Sequence, residues 1–308
     1  MSSVSANGVT IEYLDEGPRE APAILLIMGL GMQLIAWPDS FCQALVERGF
    51  RIVRFDNRDA GLSTRMGSAG SFATTAMIAR ALLGMRVKPP YRLDDMARDA
   101  IGLMDALKIE KAHVVGASMG GMIAQILAIE HPERVISLTS IMSTSGDRSL
   151  PGPKSKVLRA LLRPRPRRES EAIRRSIQMF RLIGGTRYRP SDSELRHKVE
   201  RAVRRSYRPD GFARQLLAIQ SAPARTGMLR RIRAPTLVLH GGDDPLVPLA
   251  AGHHTAANIP GARLRVVPGM GHFLPEALVS LLVNEIAAHC ERAEATPARD
   301  RRAAGETP

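Results

Sequence analysis

A serine, an acid and a histidine stand in this chain where together they could attack a carbonyl. Ser118 lies in Gly116-Ala-Ser118-Met-Gly120, between the apolar run Ala112-His-Val-Val115 and the longer apolar segment Met119–Glu130. The first reads as a buried strand and the second as a buried helix, so the serine sits at their junction with glycine two residues away on each side. Such a turn is a nucleophile elbow. Its tightness leaves no room for a Cβ at the flanking positions, lifts the hydroxyl above the sheet, and points the next amide, that of Met119, at the same space.

A serine hydroxyl is a poor nucleophile until a base takes its proton, and the base needs a carboxylate to orient it. Both follow Ser118 in chain order, each just after a strand-like run. Thr236–His240 leads into Gly241-Gly-Asp243-Asp244-Pro245, and Arg263–Val267 leads into Pro268-Gly-Met-Gly-His272. Of the eight histidines, His272 occupies a glycine-flanked loop beyond a sheet edge and is the expected base. His113 falls inside the elbow strand, His131 lies at a helix end, and His197 and His289 read as surface positions. His240, beside the acid loop, is a second choice. Asp244 is the preferred acid because it precedes Pro245 in the register usual after such a strand, with Asp243 as the alternative. A developing oxyanion needs preorganised N–H donors. The amides of Met119 and of Leu30, in the Gly29-Leu30-Gly31 loop after the Ala23–Met28 strand, are the expected pair. That loop lacks the third glycine of a dinucleotide-binding turn, Leu34 standing in its place.

Strand-like and helix-like segments alternate around these motifs, as in a parallel sheet with helices on both faces. Val9–Leu14, Ala23–Met28, Arg51–Asp56 and Val135–Met142 read as strands. Asp39–Arg48, capped by Asp39, and Leu93–Leu107 read as helices. Asp56–Ser63 is dense in turn formers and reads as a hydrogen-bonded floor to the cleft. From about Ser143 strand-like runs vanish and Pro and Arg become frequent. Ile173, Ile177 and Phe180 fall at helical spacing, as do Leu195, Val199 and Val203. At 308 residues the expected organisation is one α/β core, residues 1–142 and 232–290, with residues 143–231 inserted as a helical cap. Ala277–Cys290 reads as a closing helix, and the polar segment 291–308 as a disordered tail. Met179, Phe180, Phe212 and Leu216 are the candidate substrate-pocket residues of the cap, although such helical spacing more often reflects plain packing between cap and core.

Hydrophobic residues make up 44% of the chain, and no apolar run approaches the ~20 residues needed to cross a bilayer. The start carries no basic region followed by an apolar core, so the expected location is cytoplasmic. The two cysteines, Cys42 and Cys290, read as small buried residues rather than a disulfide. The adjacent His253 and His254 do not have metal-ligand spacing, and neither a metal nor a cofactor is expected. Between Gly146 and Arg233 stand 24 Lys and Arg against 7 Asp and Glu, more than the whole chain's net charge of +14. A solvated arginine-rich face is the favoured reading, and contact with a membrane or other anionic surface is the sharper one. Nucleic acid is not an expected partner, because aromatic side chains to stack bases are scarce there.

Through its Ser118, Asp244 and His272 motifs the chain resembles the α/β-hydrolase family, from about Val9 to His289. Leu26-Ile-Met-Gly-Leu-Gly31, Ala36-Trp-Pro38 and Phe55-Asp-Asn-Arg-Asp-Ala-Gly-Leu-Ser63 are similar to its aclacinomycin-methylesterase-like branch. The resemblance implies a Ser118–His272–Asp244 triad, an oxyanion hole from Leu30 and Met119, and a cap roofing the pocket. The implied function is a serine carboxylic-ester hydrolase acting through an acyl-enzyme on a small to medium, apolar or aromatic ester. A carbon–carbon bond hydrolase or a cofactor-free haloperoxidase would use the same triad, and a ligand-binding protein could keep it unused. One departure is Met28-Gly29 where many relatives carry His-Gly, which weakens transfer of those relatives' substrate class.

Overall fold

The computed structural model describes residues 1–67, 85, 87–163 and 165–295. Eight strands form one sheet: β1 (Ser2–Ala6), β2 (Val9–Glu16), β3 (Ala23–Ile27), β4 (Arg51–Phe55), β5 (Ala112–Ala117), β6 (Val135–Ile141), β7 (Thr236–Gly241) and β8 (Arg263–Val267). Their order is β1-β2-β4-β3-β5-β6-β7-β8. The pairs β1–β2 and β2–β4 are antiparallel and the rest are parallel. β1 was not legible as a strand, because it is polar and largely exposed. It is created by its turn, where Asn7 and Gly8 both take positive φ, 49° and 75°, the backbone that matches hairpin twist.

Helices cover both faces of the central strands. On one side α2 (Leu93–Ala106) and α3 (Met119–Glu130) pack with Leu25, Ile27 and Val114. On the other, α1 (Asp39–Glu47) and the last helix, α10 (Val279–Ala295), pack with Ile24, Leu26 and Val115. Alternate residues of one strand thus enter different cores, and this is why the central strands read as unbroken apolar runs. Asp39 is not the cap of α1. Pro38 holds that position, and the Asp39 carboxylate pairs with Arg54 at 2.8 Å.

Between β6 and β7 the chain forms α4 (Ser155–Leu162), α5 (Glu169–Ile183), α6 (Asp192–Arg205), α7 (Pro209–Ser221) and the short α8 (Thr226–Leu229), followed after β7 by α9 (Leu249–Ala257). Ser191 caps α6 in a reciprocal pair with Glu194, and Pro209 opens α7 where a missing N–H costs nothing. Ile177, Leu195 and Val199 make a small apolar cluster between α5 and α6, with Ile173, Phe180 and Val203 against it. Among the described residues, no helix is long and apolar enough to cross a membrane.

Two readings change at the C-terminal end. Helix α10 runs to Ala295, so residues 291–295 belong to it rather than to a tail, and the buried Ala293 continues its inner face. Residues 296–308 lie outside the described residues. His289 is buried, not surface, because it falls on that inner face between Ile286 and Ala293, with Nε2 3.2 Å from the carbonyl oxygens of Leu138 and Pro235. Burial pulls its pKa down to about 4 from 6.5. The unfolded chain therefore takes up a proton below pH 6.5 that the folded chain refuses until about pH 4. This costs up to about 3 kcal/mol as the pH falls through that window. Urea unfolding of wild type and His289→Gln at several pH values between 4 and 7.5 should show a flatter acid limb for the variant, and parallel limbs would contradict this assignment.

Candidate active site

Ser118 joins β5 to α3 with φ of 56°, a left-handed backbone that a side chain adopts only when the surroundings enforce it. The enforcement is steric. An added Cβ on Gly116 would lie 2.2 Å from the Gly120 carbonyl oxygen, and one on Gly120 would lie 2.0 Å from that of Ile27. The Ser118 amide donates to the Ile141 carbonyl at 2.9 Å. Its own carbonyl accepts from the Ser143 hydroxyl at 2.7 Å.

The Ser118 Oγ stands 2.9 Å from His272 Nε2, and His272 Nδ1 stands 2.6 Å from Asp244 Oδ2. With Nδ1–H donating to the carboxylate, Nε2 is left as the acceptor for the serine proton. The other carboxylate oxygen, Oδ1, accepts the amides of Leu246 and Val247, both at 2.8 Å, which holds the acid in place. Asp243 turns the other way: its carboxylate accepts from the Thr186 hydroxyl, between α5 and α6. His240 lies behind the acid loop. It is buried, which pushes its pKa down and keeps it neutral, and Nε2 donates to the Val247 carbonyl at 2.8 Å.

The His272 loop is held from the inserted helices. The His272 amide donates to the Ile183 carbonyl at 2.7 Å, at the end of α5, and the amides of Thr186 and Arg187 donate to the Gly269 carbonyl. An isolated antiparallel bridge joins Gly185 to Met270.

The Gly29–Gly31 loop backs onto the elbow, and an added Cβ on Gly29 would lie 3.1 Å from the Ser118 Cβ. The amides of Leu30 and Met119 donate to no protein acceptor among the described residues. That of Gly31 is taken by Gln215 of α7, whose Oε1 accepts it at 2.7 Å while Nε2 donates to the Arg58 carbonyl at 2.8 Å. Beneath the loop, Asp56 accepts the amides of Leu34 and Leu62 and the Arg205 guanidinium of α6. Asn57 donates to the Met28 carbonyl at 2.9 Å. Asp59 takes a two-pronged contact from Arg214 of α7, at 2.7 and 2.8 Å. The turn-rich segment after β4 therefore ties the inserted helices and the Gly29–Gly31 loop together.

Of the four candidate pocket residues, Phe212 packs its ring against Gly31. Phe180 belongs to the apolar cluster of α5 and α6, Leu216 is buried and Met179 is half-buried. Gln215, Ser143 and the Ile183–Arg187 clamp were missed by sequence reasoning. Each acts across a separation that no local spacing encodes, and only the burial of a glutamine on α7 marks one of them. Among the described residues, no group of three or more His, Cys, Asp or Glu is placed to hold a metal ion.

Residues 22–276 match the family described as alpha/beta hydrolase fold. The chain is 30% identical over 295 residues to a rhodomycin D methylesterase of Streptomyces sp. strain C5, covering 90% of this chain and 93% of that one. It is 29% identical, with the same coverage, to a rhodomycin D methylesterase of Streptomyces peucetius. Among solved structures, a meta-cleavage product hydrolase of Pseudomonas fluorescens superposes with a TM-score of 0.75 at 22% identity, over 95% of this chain and 98% of that one.

Proposed function

Because the chain belongs to the α/β-hydrolase fold family, we propose that it is a serine hydrolase that cleaves a carboxylic ester through an acyl-enzyme on Ser118. The observation that carries this reading is the unbroken hydrogen-bonded line from Ser118 through His272 to Asp244, at 2.9 and 2.6 Å. Ser118 Oγ attacks the ester carbonyl as His272 Nε2 takes its proton, and Asp244 stabilises the imidazolium so formed. The amides of Leu30 and Met119 receive the negative oxygen of the tetrahedral intermediate. His272 then gives its proton to the leaving alcohol and activates a water that releases the acid. The methylesterase activity named for the two Streptomyces relatives fits an ester whose alcohol part is small. Residues 143–231 act in this reading as the cap over the core, with Met179, Phe180, Phe212 and Leu216 as its apolar lining.

Hydrolysis of p-nitrophenyl esters from acetate to decanoate, with fluorophosphonate labelling followed by peptide mapping, tests the proposal. Turnover and a label on Ser118 are expected. Failure to turn over any chain length, or labelling elsewhere, would overturn it in favour of carbon–carbon cleavage or binding without turnover. The two neighbouring acids offer a sharper check. Asp244→Asn should lower kcat by about three to four orders of magnitude, since it misorients the imidazole, whereas Asp243→Asn should change it less than about tenfold. Similar losses in both, read by steady-state kinetics, would refute the assignment.

A further inference from the structure

Among the described residues, the well-shielded arginines are matched by carboxylates or other acceptors, and the half-buried Arg165 stands apart. Arg51 pairs with Asp15, Arg54 with Glu16 and Asp39, Arg58 with Asp99, Arg205 with Asp56 and Arg214 with Asp59. Arg225 has no carboxylate but donates to Gln125 and to the Thr144 carbonyl. Arg165, in the turn between α4 and α5, has neither. Its Nε is shielded from solvent and lacks an acceptor among the described residues. The guanidinium lies 3.7 Å above the Phe212 ring. The groups that face it are Tyr207, whose hydroxyl donates to the Pro166 carbonyl, and Arg175, which is itself paired with Glu171.

Position gives this exception meaning. The Phe212 ring is the surface an added Cβ on Gly31 would strike at 2.5 Å. Gly31 follows Leu30, and Gly29 lies against Ser118. The ring therefore spans from the oxyanion loop to the guanidinium. A half-buried guanidinium whose Nε is shielded without an acceptor loses part of its hydration, and stacking on a ring offsets only part of that cost. Its planar donor edge suits a carboxylate in two-pronged contact.

We propose that Arg165, stacked on Phe212, receives a carboxylate that the ester substrate carries away from its reacting carbonyl, so that the preferred substrates are half-esters of dicarboxylic acids or esters of similar charge. This rests on the esterase reading above and adds the substrate's charge to it. The desolvation that pulls the Arg165 pKa down is offset by the opposite charge when the anion arrives.

The test compares p-nitrophenyl half-esters of succinate through suberate with their methyl-capped neutral counterparts and with a trimethylammonium analogue. Wild type should favour the anionic ester at its best chain length by at least about tenfold in kcat/KM, and the preference should shrink as salt rises. Arg165→Gln should lower the anionic-to-neutral ratio by about tenfold, mainly through KM, and Arg165→Lys should restore part of it. Free dicarboxylates should inhibit wild type competitively while their diamides do not, a readout that needs no variant to fold. An unchanged ratio in Arg165→Gln, or no anionic preference at any length, would overturn the proposal. Hydrolysis of the neutral esters that survives Ser118→Ala would instead overturn the esterase reading beneath it.

Discussion

Replacing Ser118 with alanine is expected to lower kcat/KM on p-nitrophenyl esters by about three to six orders of magnitude. The members of a serine triad act as a unit, so losing the nucleophile removes nearly everything the other two contribute. What remains is the oxyanion donors and substrate binding. Alanine keeps the Cβ that the elbow already accommodates at φ of 56°, and among the described residues the Ser118 hydroxyl bonds only to His272. Thermal unfolding should therefore be nearly unchanged. Steady-state rates with matched melting curves provide the check. A variant that retains more than about a tenth of wild-type activity would mean that another group carries the reaction.

The largest expected loss of stability comes from Arg214→Met. Asp59 and Arg214 are both fully shielded from solvent and joined through both prongs of the guanidinium, at 2.7 and 2.8 Å. Without the arginine, the carboxylate keeps the Tyr91 hydroxyl and the Met66 amide but loses its buried counter-charge. Breaking a buried pair from one side costs about 3–5 kcal/mol, because the remaining charge cannot reach water. Urea unfolding should show a much lower midpoint at similar slope. The double variant Asp59→Asn/Arg214→Met should recover part of the loss, and equal midpoints for wild type and Arg214→Met would refute the argument. Arg214 adjoins Gln215, which holds Gly31, so activity should fall together with stability.

The elements that position the site were largely legible in the chain. The alternation of apolar runs predicts the central strands and helices, since burial on both sheet faces leaves continuous Val, Ile and Leu segments such as Ala23–Ile27. Glycine around Ser118 predicts the elbow, since no other residue fits where added Cβ atoms would lie 2.0 and 2.2 Å from carbonyl oxygens. β1 escaped notice because an exposed edge strand has no apolar period. His289 reads as a surface position because nothing local marks which face of the helix it occupies, and only packing places it on the inner face.

By itself, the sequence determined which residues stand where the proposed chemistry needs them, and in what order: serine at a strand–helix turn, then acid, then histidine, each at the end of a strand. These are local features, readable within a few residues because backbone sterics and apolar periodicity act over that range. Tertiary structure alone decided that Asp244 turns to His272 while Asp243 turns to Thr186. It also decided that Gln215 takes the Gly31 amide and that Arg165, among the described residues, meets a ring and no carboxylate. Those outcomes join segments 28 to 184 residues apart. A hydrogen bond or ion pair across such a distance depends on where the whole fold brings two side chains, and nothing in the spacing of either segment records it.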